Sequence, residues 1–179
     1  KMAKADGLVT TEEVKAFRQI FHIPSYEEKN ASRVFNLARQ DINGFRTYAK
    51  QIAKMLSNNN KMLEDIIEGL LHIATSDGKY DPSEDSFIEE VAKIFNLDSK
   101  ILNTLKSRYL PNQRPDPFTV LGVSPSWTTK KIKSHWKKLV LESHPDKLVA
   151  KGLPEEAINL ANSRLVVINR AWNEIKSKA

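Results

Sequence analysis

The sequence predicts an all-α chain of two domains, and three observations carry that expectation. Apolar residues recur at the i, i+3, i+4, i+7 spacing of amphipathic helices through most of the 179 residues, and no segment sustains the alternation of a half-buried strand. The stretch Leu110-Pro111-Asn112-Gln113-Arg114-Pro115-Asp116-Pro117 holds three prolines and reads as a semi-rigid linker. Charge changes across it: residues 1–110 hold 16 Lys+Arg against 16 Asp+Glu, while residues 111–179 hold 12 against 6, so the whole net charge of +6 lies in the C-terminal part. The expected division is a domain over residues 1–110, a linker over 111–116 and a second domain over 117–179.

The first predicted helix starts at Thr10-Thr11-Glu12-Glu13, a capping box in which Thr10 accepts from the Glu13 amide and Glu13 reaches back, and it runs to about His22. Pro24-Ser25-Tyr26-Glu27-Glu28 repeats the capping logic with Ser25 as N-cap, and Val34, Leu37 and Ala38 follow at helical spacing. Asp41-Ile42-Asn43-Gly44 is a turn, after which Phe45, Tyr48, Ala49, Ile52, Ala53 and Leu56 form a helical stripe that ends at Asn58-Asn59-Asn60. From Lys61 to Ser76 the apolar arc of Met62, Leu63, Ile66, Ile67, Leu70, Leu71, Ile73 and Ala74 is so wide that this helix should be the centre of its domain.

The beginning of the chain then echoes itself. Ser76-Asp77-Gly78-Lys79-Tyr80-Asp81-Pro82-Ser83-Glu84 repeats the order of Ala5-Asp6-Gly7-Leu8-Val9-Thr10-Thr11-Glu12-Glu13, with Asp81 as the cap and Pro82 at the first helical position. Helices from about Pro82 to Phe95 and Ser99 to Tyr109 complete the N-terminal domain. Placing Gly7 or Gly78 at the sixth position of a calcium loop puts Glu13 or Glu84 at the twelfth. The first and third positions are then Met2 and Lys4, or Ile73 and Thr75, which supply no carboxylate, so turn and capping roles are expected and no metal site is assigned.

In the C-terminal domain, residues 127–143 form a helix whose apolar stripe is Ile132, Trp136, Leu139 and Val140. Lys130, Lys133, Lys137 and Lys138 are left on the other side. The helix should stop at His144-Pro145-Asp146, because proline removes a backbone donor and biases His144 away from the helical region, so that an exposed turn displays the two polar neighbours. Pro154-Glu155-Glu156 opens a second helix with Ala157, Leu160, Ala161, Leu165, Ile168 and Trp172 on one face, packed antiparallel to the first across a short loop.

Composition narrows the function. The chain has no cysteine, which excludes disulfides, thiol chemistry and cysteine-based zinc sites and suits a reducing compartment. No apolar run approaches the ~18 residues of a membrane span. The chain opens on Lys1, so a preceding segment carrying an anchor or a further helix remains an expectation. His144 and Asp146 resemble two-thirds of a catalytic triad, yet no nucleophile completes them, so no catalytic residue is assigned. His22 and His72 lack metal-ligand spacing to another histidine, and Trp127 is expected to pack. A basic domain beside a neutral one implies an acidic partner, either a protein surface or nucleic acid.

The order Phe118, Leu121-Gly122-Val123, Ile132-Lys133, Trp136 to Leu139, His144 to Lys147, then Ile168-Asn169 and Ala171-Trp172 resembles the J domain of the DnaJ family over roughly residues 116–175. Ser143 stands where that family often has an aromatic residue, Trp136 and Trp172 replace commoner tyrosines, and Leu165 sits where a phenylalanine is usual. The duplicated Asp-Gly turn with its capped helix resembles the TerB-like helical domain of tellurite-resistance proteins over roughly residues 1–110. Together they resemble the DjlA-like bacterial co-chaperones and their soluble relatives. The resemblance implies docking on a DnaK-type ATPase chaperone through His144, Pro145, Asp146, Lys130, Lys133, Lys137, Lys138 and Lys147, with stimulation of the partner's ATP hydrolysis and no enzyme activity or cofactor of its own. It further implies an unfolded or specific client and a cytoplasmic location, free or anchored at the inner membrane. TerB-like domains also carry acidic clusters, for which Asp6, Asp77 and Glu84 are the residues here. A basic helical nucleic-acid-binding protein is the alternative.

Overall fold

A computed structural model describes residues 11–20, 23–24, 26–40, 44–110, 115–150 and 155–178. Among these residues there are ten helices and no strand, as the periodicity predicts. The chain divides into two compact units, residues 1–98 and 99–179.

The first unit contains α1 (Thr11–Ile20), α2 (Glu28–Gln40), α3 (Phe45–Met55), α4 (Asn60–Ala74) and α5 (Pro82–Ile94). Helix α4 packs against both α1 and α5, with α3 lying on α5, so the widest apolar arc does occupy the centre. Its Leu63, Ile67, Leu71, Ile73 and Ala74 are buried, and Glu68 is buried completely among them. Asn59 caps α4 by accepting the Met62 N–H at 3.1 Å. Gly44 takes a left-handed φ of 79° ahead of α3, and Gly78 one of 82° in the Asp-Gly turn, where a side chain would be strained.

The second capping box is present. Asp81 accepts the Ser83 N–H at 2.8 Å, Glu84 accepts the Asp81 N–H at 3.2 Å, and Pro82 occupies the first helical position, where no backbone donor is needed. The first copy's Asp6 and Thr10 lie outside the described residues, as do His22, Ser25 and the 41–43 portion of the predicted turn. Helix α2 begins at Glu28 rather than directly after Ser25. The Glu27 N–H bonds to the Pro24 carbonyl at 2.8 Å, and residues 26–27 form a turn ahead of the helix. Tyr48, expected on the inward stripe of α3, is exposed, because Ala49 faces inward and Tyr48 falls on the flank of that face.

The second unit contains α6 (Ser99–Tyr109), α7 (Pro117–Leu121), α8 (Thr129–Glu142), α9 (Pro145–Ala150) and α10 (Glu155–Ser177). Helix α10 is its spine and packs against α7, α8 and α9. The core joins Val120, Leu121 and Val123 to Ile132 of α8 and to Ile168, Ala171, Trp172 and Ile175 of α10. Asp116 caps α7 by accepting the Thr119 N–H at 2.9 Å, Pro117 fills its first position, and Gly122 ends it with φ 68°. A helix this short leaves its last carbonyls without intrahelical partners. Two side chains take them from different helices: Arg108 of α6 donates to the Val120 carbonyl at 3.3 Å, and His135 Nε2 of α8 lies 3.1 Å from the Leu121 carbonyl. Helix α6 thus packs on α7 within the second unit. Between α8 and α10 the sequence suggested a plain short loop, whereas the chain forms the extra helix α9 there.

Candidate functional site

Helix α8 starts at Thr128, whose hydroxyl accepts the Lys131 N–H at 3.3 Å, and ends at Ser143, whose N–H reaches the Leu139 carbonyl at 3.0 Å. Lys130, Lys133, Lys137 and Lys138 are all exposed along it. Lys138 lies 3.8 Å from Glu142 one turn on, while Lys130, Lys133 and Lys137 have no ion-pair partner among the described residues. Lys131 behaves differently: its ammonium sits 3.8 Å from the centre of the Trp127 ring, a cation–π contact that keeps it off the lysine face. Trp127 packs against the core, as expected, and meets His135 edge-on.

The His-Pro-Asp tripeptide ends α8 as proline requires, and it also begins α9. Pro145 is tolerated at the first helical position for the same reason that it cannot continue the preceding helix. The His144 carbonyl accepts from Lys147 and Leu148 at 3.1 and 3.2 Å, and its ring Nδ1 accepts the Asp146 N–H at 3.3 Å. His144 therefore acts as the N-cap of α9, and an accepting Nδ1 puts the proton of the neutral ring on Nε2. The carboxylate of Asp146 is 3.7 Å from the same Nδ1, on a side chain that is 92% exposed. Lys147 is half-buried beside it, and Ser143, immediately before the tripeptide, is buried.

The Asp146 carboxylate and the His144 imidazole are both displayed on the surface. Among the described residues no three His, Asp or Glu side chains are grouped to hold a metal ion. Asp77 accepts the Lys79 N–H at 2.8 Å inside its turn, and Glu84 serves the cap of α5, so both have structural roles. His72 is half-buried on α4, and burial holds its imidazole below the ordinary value.

One further residue belongs to this surface. Leu141 is exposed four residues after Lys137 and three after Lys138, which places an apolar side chain among the lysines. Its signal is in the sequence: it falls off the stripe of Ile132, Trp136, Leu139 and Val140, on an otherwise basic face.

Two family models match the chain. The one described as "Tellurite resistance protein TerB" covers residues 1–107, and the one described as "DnaJ domain" covers residues 116–178. No curated protein and no solved structure matches the chain significantly. No helix among the described residues is long and apolar enough to cross a membrane.

Proposed function

Because the chain belongs to the TerB family and continues into a DnaJ domain, we propose that it is a co-chaperone, which docks on a DnaK-type chaperone through residues 117–179 and stimulates that partner's ATP hydrolysis. The observation that carries this reading is the exposed Asp146 carboxylate, in the first turn of α9 directly after a helix with three lysines that have no ion-pair partner among the described residues. The lysines of α8 steer the chain to an acidic face, and Asp146 makes a charge-assisted hydrogen bond to a basic group beside it. His144 and Pro145 set the shape of the turn that presents it.

Charge supports a docking role for the second unit, which includes these residues. Residues 99–179 hold 15 Lys+Arg against 6 Asp+Glu, whereas residues 1–98 hold 13 against 16. On this reading the domain works in the cytoplasm, free or anchored at the inner membrane. The test is the turnover of a DnaK-type ATPase with wild-type chain and with His144→Gln, alongside a mobility-shift assay with DNA and RNA. Stimulation that is lost on His144→Gln supports docking. A mobility shift indifferent to residue 144, with no stimulation, would replace this reading by the nucleic-acid one.

A further inference from the structure

Helix α8 carries the docking lysines, yet Ile132 is its only buried side chain. Trp136, Leu139 and Val140 pack on the same core but only partly buried, so directional contacts must also help to fix the helix about its axis. Two adjacent rings do so from opposite sides. His135 Nε2 reaches the Leu121 carbonyl of α7 at 3.1 Å. Trp136 stacks on the buried Trp172 of α10, with centroids 5.3 Å apart and planes at 16°, and its indole N–H donates to Asn169 Oδ1 at 3.0 Å. At about 100° per residue, His135 and Trp136 project about 60° and 40° to either side of Ile132, so each resists a rotation that the other permits.

We propose that Trp136, held on its face by Trp172 and on its edge by Asn169, acts with His135 as a positioning pair that sets the rotation of α8, so that the lysines and the His-Pro-Asp turn meet the partner together. The inference rests on the docking reading above. Its leverage is geometric. At a side-chain radius of about 6 Å, a rotation of about 20° moves a side-chain tip by about 2 Å, more than a hydrogen bond tolerates. Lys133 and Lys137 directly follow Ile132 and Trp136, so they move with any such rotation, and the turn that follows α8 moves with them. The tryptophan stack lies on the face of the indole and the hydrogen bond at its edge, so the bond can be removed while the stack stays.

The test uses the full chain with Asn169→Leu, which removes the acceptor while keeping bulk, and Trp136→Phe, which keeps an aromatic ring but loses the donor. ATPase stimulation is titrated to separate the concentration giving half-maximal effect from the maximum reached. Each variant should raise the half-maximal concentration about three- to tenfold, as expected for one hydrogen bond, with the maximum and the thermal midpoint little changed. The double variant should be no worse than either single one, because both remove the same bond. A core variant remote from the brace, Ile175→Val, should leave the half-maximal concentration where it was. In the free wild-type chain the Trp136 indole proton should exchange more slowly than in Asn169→Leu. Unaltered titration in Asn169→Leu and Trp136→Phe, or equal indole exchange with and without Asn169, overturns the positioning role alone. A wild-type chain that never stimulates overturns the docking reading and this inference with it.

Discussion

Replacing Asp146 by Asn removes one charge and almost nothing else. The side chain is 92% exposed, contributes nothing to the apolar core, and lies 3.7 Å from His144 Nδ1. The bond that shapes the turn runs from the Asp146 backbone N–H to that ring, and asparagine keeps it. The loss to folding is confined to one carboxylate in the first turn of a six-residue helix, about 0.3–1 kcal/mol at most. Docking loses more, because a hydrogen bond to a charged group contributes about 1.5–3 kcal/mol, which is roughly a ten- to hundredfold fall in affinity. Affinity, circular dichroism and single-turnover ATPase should be measured on the same preparations. Asp146→Lys should bind more weakly still, and regain binding when the partner's basic group is made acidic, whereas Asp146→Asn should not. Wild-type stimulation by well-folded Asp146→Asn would refute the mechanism.

Further outcomes are expected elsewhere in the molecule. Reversing Lys133 or Lys137 to Glu should slow association about threefold or more with little change in dissociation, and added salt should shrink the difference; a salt-insensitive association rate counts against this face. Gly122→Ala places a methyl 3.7 Å from Thr104, an ordinary contact, so its cost is the left-handed backbone alone, about 1–2 kcal/mol in denaturant unfolding of the second unit. A change below about 0.3 kcal/mol would show that φ 68° is not held in solution. Burial keeps His72 less basic when folded than its ordinary 6.5, so the unfolded chain takes up the proton first. The stability of the first unit should be full above that value and decline as pH falls through it. His72→Gln should flatten this slope, and an unchanged slope would mean that His72 does not cause it.

Much of the fold is legible because local signals agree with the packing. Asp81-Pro82-Ser83-Glu84 specifies a helix start by hydrogen-bond chemistry alone, and the structure builds that cap. The arc from Met62 to Ala74 is too wide for a helix with one solvated side, and α4 is central. The lysines of α8 are exposed as the stripe opposite them requires. What escaped the sequence depends on interactions that spacing does not encode. Proline at 145 was legible as an end and not as a beginning, because histidine is an unusual cap and its ring acts as one only in this rotamer. The two braces of α8 depend on Leu121 and Asn169, 14 and 33 residues from their partners, beyond the reach of any helical period.

The grip of α6 on α7 bears on how this region travels between proteins. A DnaJ domain grafted onto another chain is naturally cut at its proline-rich border, which here falls after α6. Cut there, the transplanted piece would carry the Val120 carbonyl without the guanidinium of Arg108 that now meets it, and Gly122 without Thr104 beside it. Helix α6 is therefore luggage that must be packed with the cassette. A graft beginning at Ser99 inherits both partners, whereas one beginning at Pro117 obliges its new host to supply a substitute for them.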